Sequence, residues 1–250
     1  MKFIGYIPFG YPTIEESIRI IEIYIKAGCK AFEISFPIYN APGESPMIVN
    51  FMNKALENCC DYDAYINGVK KIRDINLELE INLLIFFETI LKIGKEKFLR
   101  FYKEEKINAL ICPCSSDYIK EKNELIENGV SFFTSFHYDG LDEELRNCLK
   151  PNVVVYMQAF PPDWQEVIRE DFSGPKDVVK YLRDNGVTAP IYAGVGIKTL
   201  ENVIEIKEAG ADGFFVGGAL MNLIGKDTEL EKTVGEFIKA GIGKRNLINI

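Results

Sequence analysis

One histidine, His137, and one tryptophan, Trp164, stand in 250 residues. A closed zinc shell takes four N or S ligands. One imidazole and the pair Cys112 and Cys114 fall short of that, so no metal site is expected. Cys112-Pro113-Cys114 reads instead as small apolar residues at a strand end. The other cysteines are Cys29, the adjacent pair Cys59-Cys60, and Cys148, and all six are expected to be reduced and mostly buried. Long apolar runs are also missing. No stretch reaches the ~18 residues of a membrane span, and Met1-Lys2-Phe3-Ile4-Gly5 lacks the apolar core of a signal peptide; a cytoplasmic protein is expected. Positive charge is sparse, with Lys+Arg 29 against Asp+Glu 37 and a net charge of −8. Basic neighbours go no further than Lys70-Lys71 and Lys244-Arg245, which argues against nucleic acid as a partner. A phosphate would have to be held locally, by backbone N–H groups or a helix end. Neither a Gly-x-Ser-x-Gly elbow nor a Walker loop occurs.

What is present is ordinary globular composition, 47% hydrophobic and 26% charged, in a regular alternation. Short apolar runs at Phe3–Pro8, Ala31–Phe36, Ile81–Phe87, Ala109–Cys112, Ser131–Phe136, Val153–Met157, Ile191–Ala193 and Gly213–Val216 read as strands. Amphipathic stretches between them read as helices. The first is opened by Thr13-Ile14-Glu15-Glu16, with capping-box spacing, carries Ile14, Ile18, Ile21 and Ile25, and ends at Gly28. Others are expected at Met47–Asn58, Ala64–Ile75, Lys95–Glu105, Tyr118–Asn128, Asp142–Leu149, Pro175–Asp184, Thr199–Ala209, from Ala219, and at Leu230–Ala240. No linker or composition shift divides residues 1–250. Eight strand–helix units in one domain of this length predict a (β/α)8 TIM barrel, with an open doubly wound sheet as the competing architecture. Chemistry in such a barrel sits on the loops that follow the strands.

Glu33 is the first candidate. In Ala31-Phe32-Glu33-Ile34-Ser35-Phe36 a period of two puts Phe32, Ile34 and Phe36 on one face, leaving Glu33 and Ser35 to point into the barrel. A carboxylate there is costly unless paired or used, and desolvation raises its pKa toward that of a general acid/base at neutral pH. Glu44, in the loop Pro37–Pro46 directly after that strand, is a second carboxylate able to reach the same end. Gly194-Val195-Gly196 after strand seven and Gly217-Gly218 after strand eight occupy the common phosphate position of these barrels. Tyr156 stands at the end of strand six. Phe9, Phe86 and Trp164 could bound a flat apolar substrate, although core or lid packing is their default; His137 reads as a surface or rim residue.

These residues carry a resemblance. Tyr6-Ile7-Pro8-Phe9-Gly10-Tyr11-Pro12-Thr13, Ala27-Gly28-Cys29-Lys30-Ala31-Phe32-Glu33-Ile34-Ser35-Phe36-Pro37, Gly194-Val195-Gly196-Ile197 and Ala209–Leu220 resemble segments of the tryptophan synthase α subunit family. The likeness is strongest at the two ends of the chain and weak between Cys59 and Phe172. The resemblance implies a lyase of tryptophan biosynthesis that cleaves indole-3-glycerol phosphate to indole and glyceraldehyde 3-phosphate by a retro-aldol step, with no metal or organic cofactor. It places Glu33 as the general acid/base and Glu44 at the position that holds the indole N–H. It gives the phosphate to Gly194, Gly196, Gly217 and Gly218, and sets Tyr156 beside the substrate. It also implies a β subunit as partner.

The chain departs from the family pattern at named places. Glu44 replaces an aspartate, Asn40 replaces another in the region that faces the β subunit, and Gly218 replaces a phosphate-binding serine. Gln158-Ala159-Phe160-Pro161-Pro162-Asp163-Trp164 lacks the arginine and the Gly-x-Thr-Gly run of the family's mobile loop. The chain also begins almost at strand one, without the helix that plugs the barrel bottom, so self-association through that end is an expectation. These departures leave two alternatives beside the lyase: a related barrel acting on a different phosphorylated substrate, or a non-catalytic paralogue.

Overall fold

A computed structural model describes residues 1–243, apart from Cys114, Asn152 and Trp164. The chain runs β1 (Lys2–Pro8), α1 (Ile14–Lys26), β2 (Ala31–Ser35), α2 (Pro46–Asn58), α3 (Tyr62–Ile75), β3 (Glu80–Leu84), α4 (Phe87–Ile93), α5 (Lys95–Glu104), β4 (Ala109–Ile111), a 3-10 turn at Ser115–Tyr118, and α6 (Ile119–Glu127). It continues with β5 (Phe133–Phe136), α7 (Asp142–Cys148), β6 (Val154–Gln158), α8 (Pro175–Asp184), β7 (Ile191–Gly194), α9 (Leu200–Ala209), β8 (Gly213–Val216), α10 (Gly218–Met221) and α11 (Asp227–Ile242). The strands form one sheet in the order β4-β3-β2-β1-β8-β7-β6-β5. Every neighbour is consecutive when the order is read as a ring, with no reversal point of the kind an open doubly wound sheet contains. The fold is a (β/α)8 TIM barrel. No helix among the described residues is long and apolar enough to cross a membrane.

The described chain divides into two compact units. One holds Tyr6–Lys26 and Lys30–Phe132. Its strands pair in parallel, Glu33 opposite Asn82 and Asn82 opposite Ala109. Helix α1 begins where the Thr13 hydroxyl accepts from the Glu16 N–H. Its buried stripe is Ile14, Ser17, Ile20, Ile21 and Tyr24. Ile18 and Ile25, expected on that stripe, lie half-buried at its margin. Ser17 is a polar residue in this stripe because its hydroxyl accepts from the Gly10 N–H at 3.0 Å and bonds the Thr13 carbonyl at 2.9 Å. That ties the turn after β1 to α1. Phe36 is packed by Phe9, Tyr65 and Phe101, with ring centroids 5.8–6.3 Å away. Each such fully buried ring contributes about 1.5–3 kcal/mol by leaving water.

The other unit holds Met1–Gly5, Ala27–Cys29 and the chain from Phe133 onward. Lys2–Gly5 pairs with β8, and β5, β6, β7 and β8 pair in succession. Phe133, Tyr156, Tyr192 and Phe215 pack ring on ring, the closest pair being Tyr156 and Phe215 at 4.8 Å. Helix α9 opens with a full capping box between Thr199 and Asn202 and ends at Gly210, whose φ of +93° only glycine adopts freely.

Several boundaries differ from the sequence reading. The run expected as a strand over Ile81–Phe87 ends as β3 at Leu84, and Phe87 opens α4. The apolar run is continuous, but Phe87, Ile90 and Ile93 bury at helical spacing and Gly94 stops the turn at φ +90°. The helix expected near Tyr118–Asn128 is α6, Ile119–Glu127, with a 3-10 turn over Ser115–Tyr118 leading into it. The strand expected from Ser131 starts at Phe133, and Ser131 uses its carbonyl to accept from the Leu110 N–H. The last helix runs Asp227–Ile242, longer than Leu230–Ala240, with Asp227 and Glu229 in its first turn where a carboxylate is favoured.

Candidate active site

The carboxyl of Glu33 stands on β2 and is 6% exposed. Its neighbour Phe32 packs against Tyr24 of α1, with ring centroids at 6.1 Å, so the helices take one face of the strand and Glu33 the other. The Glu33 carboxyl makes no hydrogen bond or ion pair among the described residues. Burial, and next the negative charge of Glu44, push its pKa up to about 8. Ser45 caps α2 by accepting from the Ile48 N–H, and Pro46 fills the first helical turn. Glu44 directly precedes that cap, so the start of α2 fixes where it stands. Burial pushes its pKa up to about 7. Two carboxyls of this kind exchange protons near neutrality, one holding a proton where the other has lost it.

A hydroxyl pair completes this face. Tyr6, on β1 and 3% exposed, donates from its hydroxyl to Ser35 Oγ at 3.1 Å. Burial holds the Tyr6 phenol well above its usual range, and the charges of Glu44 and Glu33 push in the same direction. Asn82, 1% exposed, is the register partner of Glu33 on β3 and donates to the Phe32 carbonyl. The sequence reading set Ser35 on the Glu33 face but gave no role to Tyr6 or Asn82. Asn82 carries a signal, a polar residue between the apolar residues of β3, whereas nothing local in β1 marks Tyr6.

In the other unit, the turn after β7 has Val195 at φ +66° and Gly196 at φ +80°. A β-branched residue in this left-handed region costs about 1–3 kcal/mol. The N–H groups of Val195, Gly196 and Ile197 make no hydrogen bond among the described residues. Successive free N–H groups in such a turn form a concavity suited to an anion. The N–H groups of Gly217, Gly218 and Ala219 are equally unpaired among the described residues. A Cβ on Gly218 would meet nothing within 4 Å. Gly194 is different. A Cβ there would fall 2.2 Å from the Tyr156 hydroxyl oxygen, so glycine at 194 is what lets the Tyr156 ring lie against the strand. The structure thus brings Tyr156 and Gly194 into contact, as it sets Glu33 and Glu44 within electrostatic reach of each other.

The remaining candidates separate from these groups. Phe9 and Phe86 are buried core residues. Trp164 and Cys114 lie outside the described residues. His137 Nδ1 stands 2.6 Å from Glu144 Oε1, and its backbone N–H donates to Oε2 of the same carboxylate. With Asp139, Gln165, Glu166 and Val167 it lines an open hollow of about 470 Å³.

The family model described as tryptophan synthase alpha chain matches residues 1–134. The chain is 27% identical to the tryptophan synthase alpha chain of Caldicellulosiruptor saccharolyticus, over 91% of this chain and 88% of that one. It is 26% identical to that of Thermotoga petrophila, over 97% and 99% of the two chains. Its backbone follows a solved tryptophan synthase alpha-subunit from Pyrococcus furiosus with a TM-score of 0.80 at 21% identity, covering 95% of this chain and 97% of that one. The chain belongs to the tryptophan synthase alpha chain family, lyases that cleave indole-3-glycerol phosphate in tryptophan biosynthesis.

Proposed function

We propose that residues 1–250 work as one (β/α)8 domain in which Glu33 is the general acid/base of this cleavage. The observation that carries the assignment is a buried carboxyl with no bonding partner among the described residues and a proton affinity shifted to near neutrality. Protonated Glu33 delivers its proton to indole C3. The resulting positive charge on the ring nitrogen is met by Glu44, which accepts from the indole N–H. The Glu33 carboxylate then takes the proton from the hydroxyl on the carbon bonded to C3. The O–H electrons form the aldehyde, the C–C bond breaks, and its electron pair returns to the indole ring. The hydroxyl proton replaces the one Glu33 gave up, so the cycle closes without a cofactor. Gly194, Gly196, Gly217 and Gly218 are assigned to the phosphate, through the free N–H groups of their two turns. Tyr156 is assigned a place beside the substrate.

A β subunit is the partner we assign, on the loop after β2. There Tyr39 is 51% exposed, and Asn53 Oδ1 accepts from the backbone N–H of Asn40, which is held at φ +52°. The test of both readings is indole release from indole-3-glycerol phosphate by the purified chain, with and without an added β subunit. Release that rises on addition supports both; no release in either condition overturns the lyase assignment for this chain.

A further inference from the structure

Hydrogen accounting at the Glu33 face leaves one donor over. Tyr6 and Ser35 carry two hydroxyl hydrogens between them. The 3.1 Å bond from Tyr6 to Ser35 uses one. The hydrogen of Ser35 has no acceptor among the described residues, although Ser35 is only 1% exposed and Tyr6 3%. A buried donor left unpaired destabilises the fold, and a ligand oxygen accepting from it would remove that penalty. Ser35 stands two residues from Glu33 on the same face of β2, about 6.6 Å along the strand.

The substrate of the proposed reaction offers few oxygens to meet it. Its indole ring presents a donor N–H and no oxygen. The phosphate is assigned to the glycine turns, and the hydroxyl on the carbon that is cleaved gives its proton to Glu33. One oxygen remains, the hydroxyl on the middle carbon of the three-carbon chain. We propose that Ser35, positioned by Tyr6, is a specificity-determining residue that donates a hydrogen bond to this middle hydroxyl. Tyr6 is a positioning residue: by occupying the Ser35 lone pair it turns the Ser35 hydrogen toward the substrate. The proposal rests on the reading of Glu33 as acid/base, and it makes a buried Tyr–Ser pair a reader of the polyol chain.

The experiment is a calorimetric titration of Glu33→Gln protein, which holds substrate without cleaving it. Two ligands are compared, indole-3-glycerol phosphate and its analogue lacking only the middle hydroxyl. The readout is the ratio of their dissociation constants. In Glu33→Gln the hydroxylated ligand binds more tightly. Adding Ser35→Ala or Tyr6→Phe shrinks the ratio about five- to tenfold, the factor one neutral hydrogen bond supplies. Binding of the analogue stays unchanged, and the two changes together shrink the ratio no further than either alone. A ratio that is 1 in Glu33→Gln, that survives both changes, or that stays constant while both ligands weaken together overturns the proposal. Indole released by the Glu33→Gln protein during the titration overturns the acid/base reading instead, because that readout does not depend on Ser35.

Discussion

Replacing Glu33 with glutamine should make the protein more stable, and the gain should grow with pH. The folded protein raises the Glu33 pKa from 4.5 to about 8. Between these values the folded state holds a proton that the unfolded chain has released, so stability falls as pH rises through the window and levels off above pH 8. With 1.36 kcal/mol per pKa unit, the burden is about 1 kcal/mol at pH 5, about 3 kcal/mol at pH 7 and about 5 kcal/mol above pH 9. Glutamine has the same shape and no charge to desolvate, so it is free of this burden at every pH. Urea unfolding of the parent and of Glu33→Gln at pH 5, 6, 7 and 8 measures the difference directly. A gap that widens steadily toward pH 8 is expected. A gap that is flat with pH, or a variant that loses stability as pH rises relative to the parent, would refute the claim that the fold holds this carboxyl against its ionisation.

Other consequences follow from the same contacts. Proton delivery by Glu33 requires its acid form, so kcat/KM should fall as pH rises through about 8; Glu44→Gln removes the neighbouring negative charge and should move that falling limb to lower pH, which a pH–rate profile reads. Gly194→Ala should destabilise by about 3 kcal/mol or more, since its Cβ would lie 2.2 Å from the Tyr156 hydroxyl. In a double-mutant cycle, Tyr156→Leu should recover much of that loss; full additivity would show that the two do not compete for space. Val195→Gly should raise stability by about 1 kcal/mol by relieving φ +66° at an exposed side chain, measured as a shift in the urea midpoint.

The eight strand positions and most helices were legible because each carries its own local pattern: a short apolar run, a cap such as Thr199, a stop such as Gly210. Phe86-Phe87 was misread because a continuous apolar run satisfies both periods, and only the burial of Ile90 and Ile93 against the unit's core decides for a helix. Glu33 stood out as a charge in an apolar strand, and its burial follows from Phe32 and Ile34 facing the helices. Gly194 was legible as a glycine, but not its reason, because the Tyr156 ring that excludes a Cβ comes from a strand 38 residues earlier. Tyr6 was missed for a similar cause. Its partner Ser35 is 29 residues away, and nothing local in β1 marks a tyrosine as polar rather than packed.

The central claim is that Glu33 moves the proton. Its most direct measurement is single-turnover indole release by the parent and by Glu33→Gln, with substrate affinity measured on the same preparations. The account predicts that the variant binds indole-3-glycerol phosphate within a few-fold of the parent and releases no indole. Indole release by Glu33→Gln at the parental rate would contradict it.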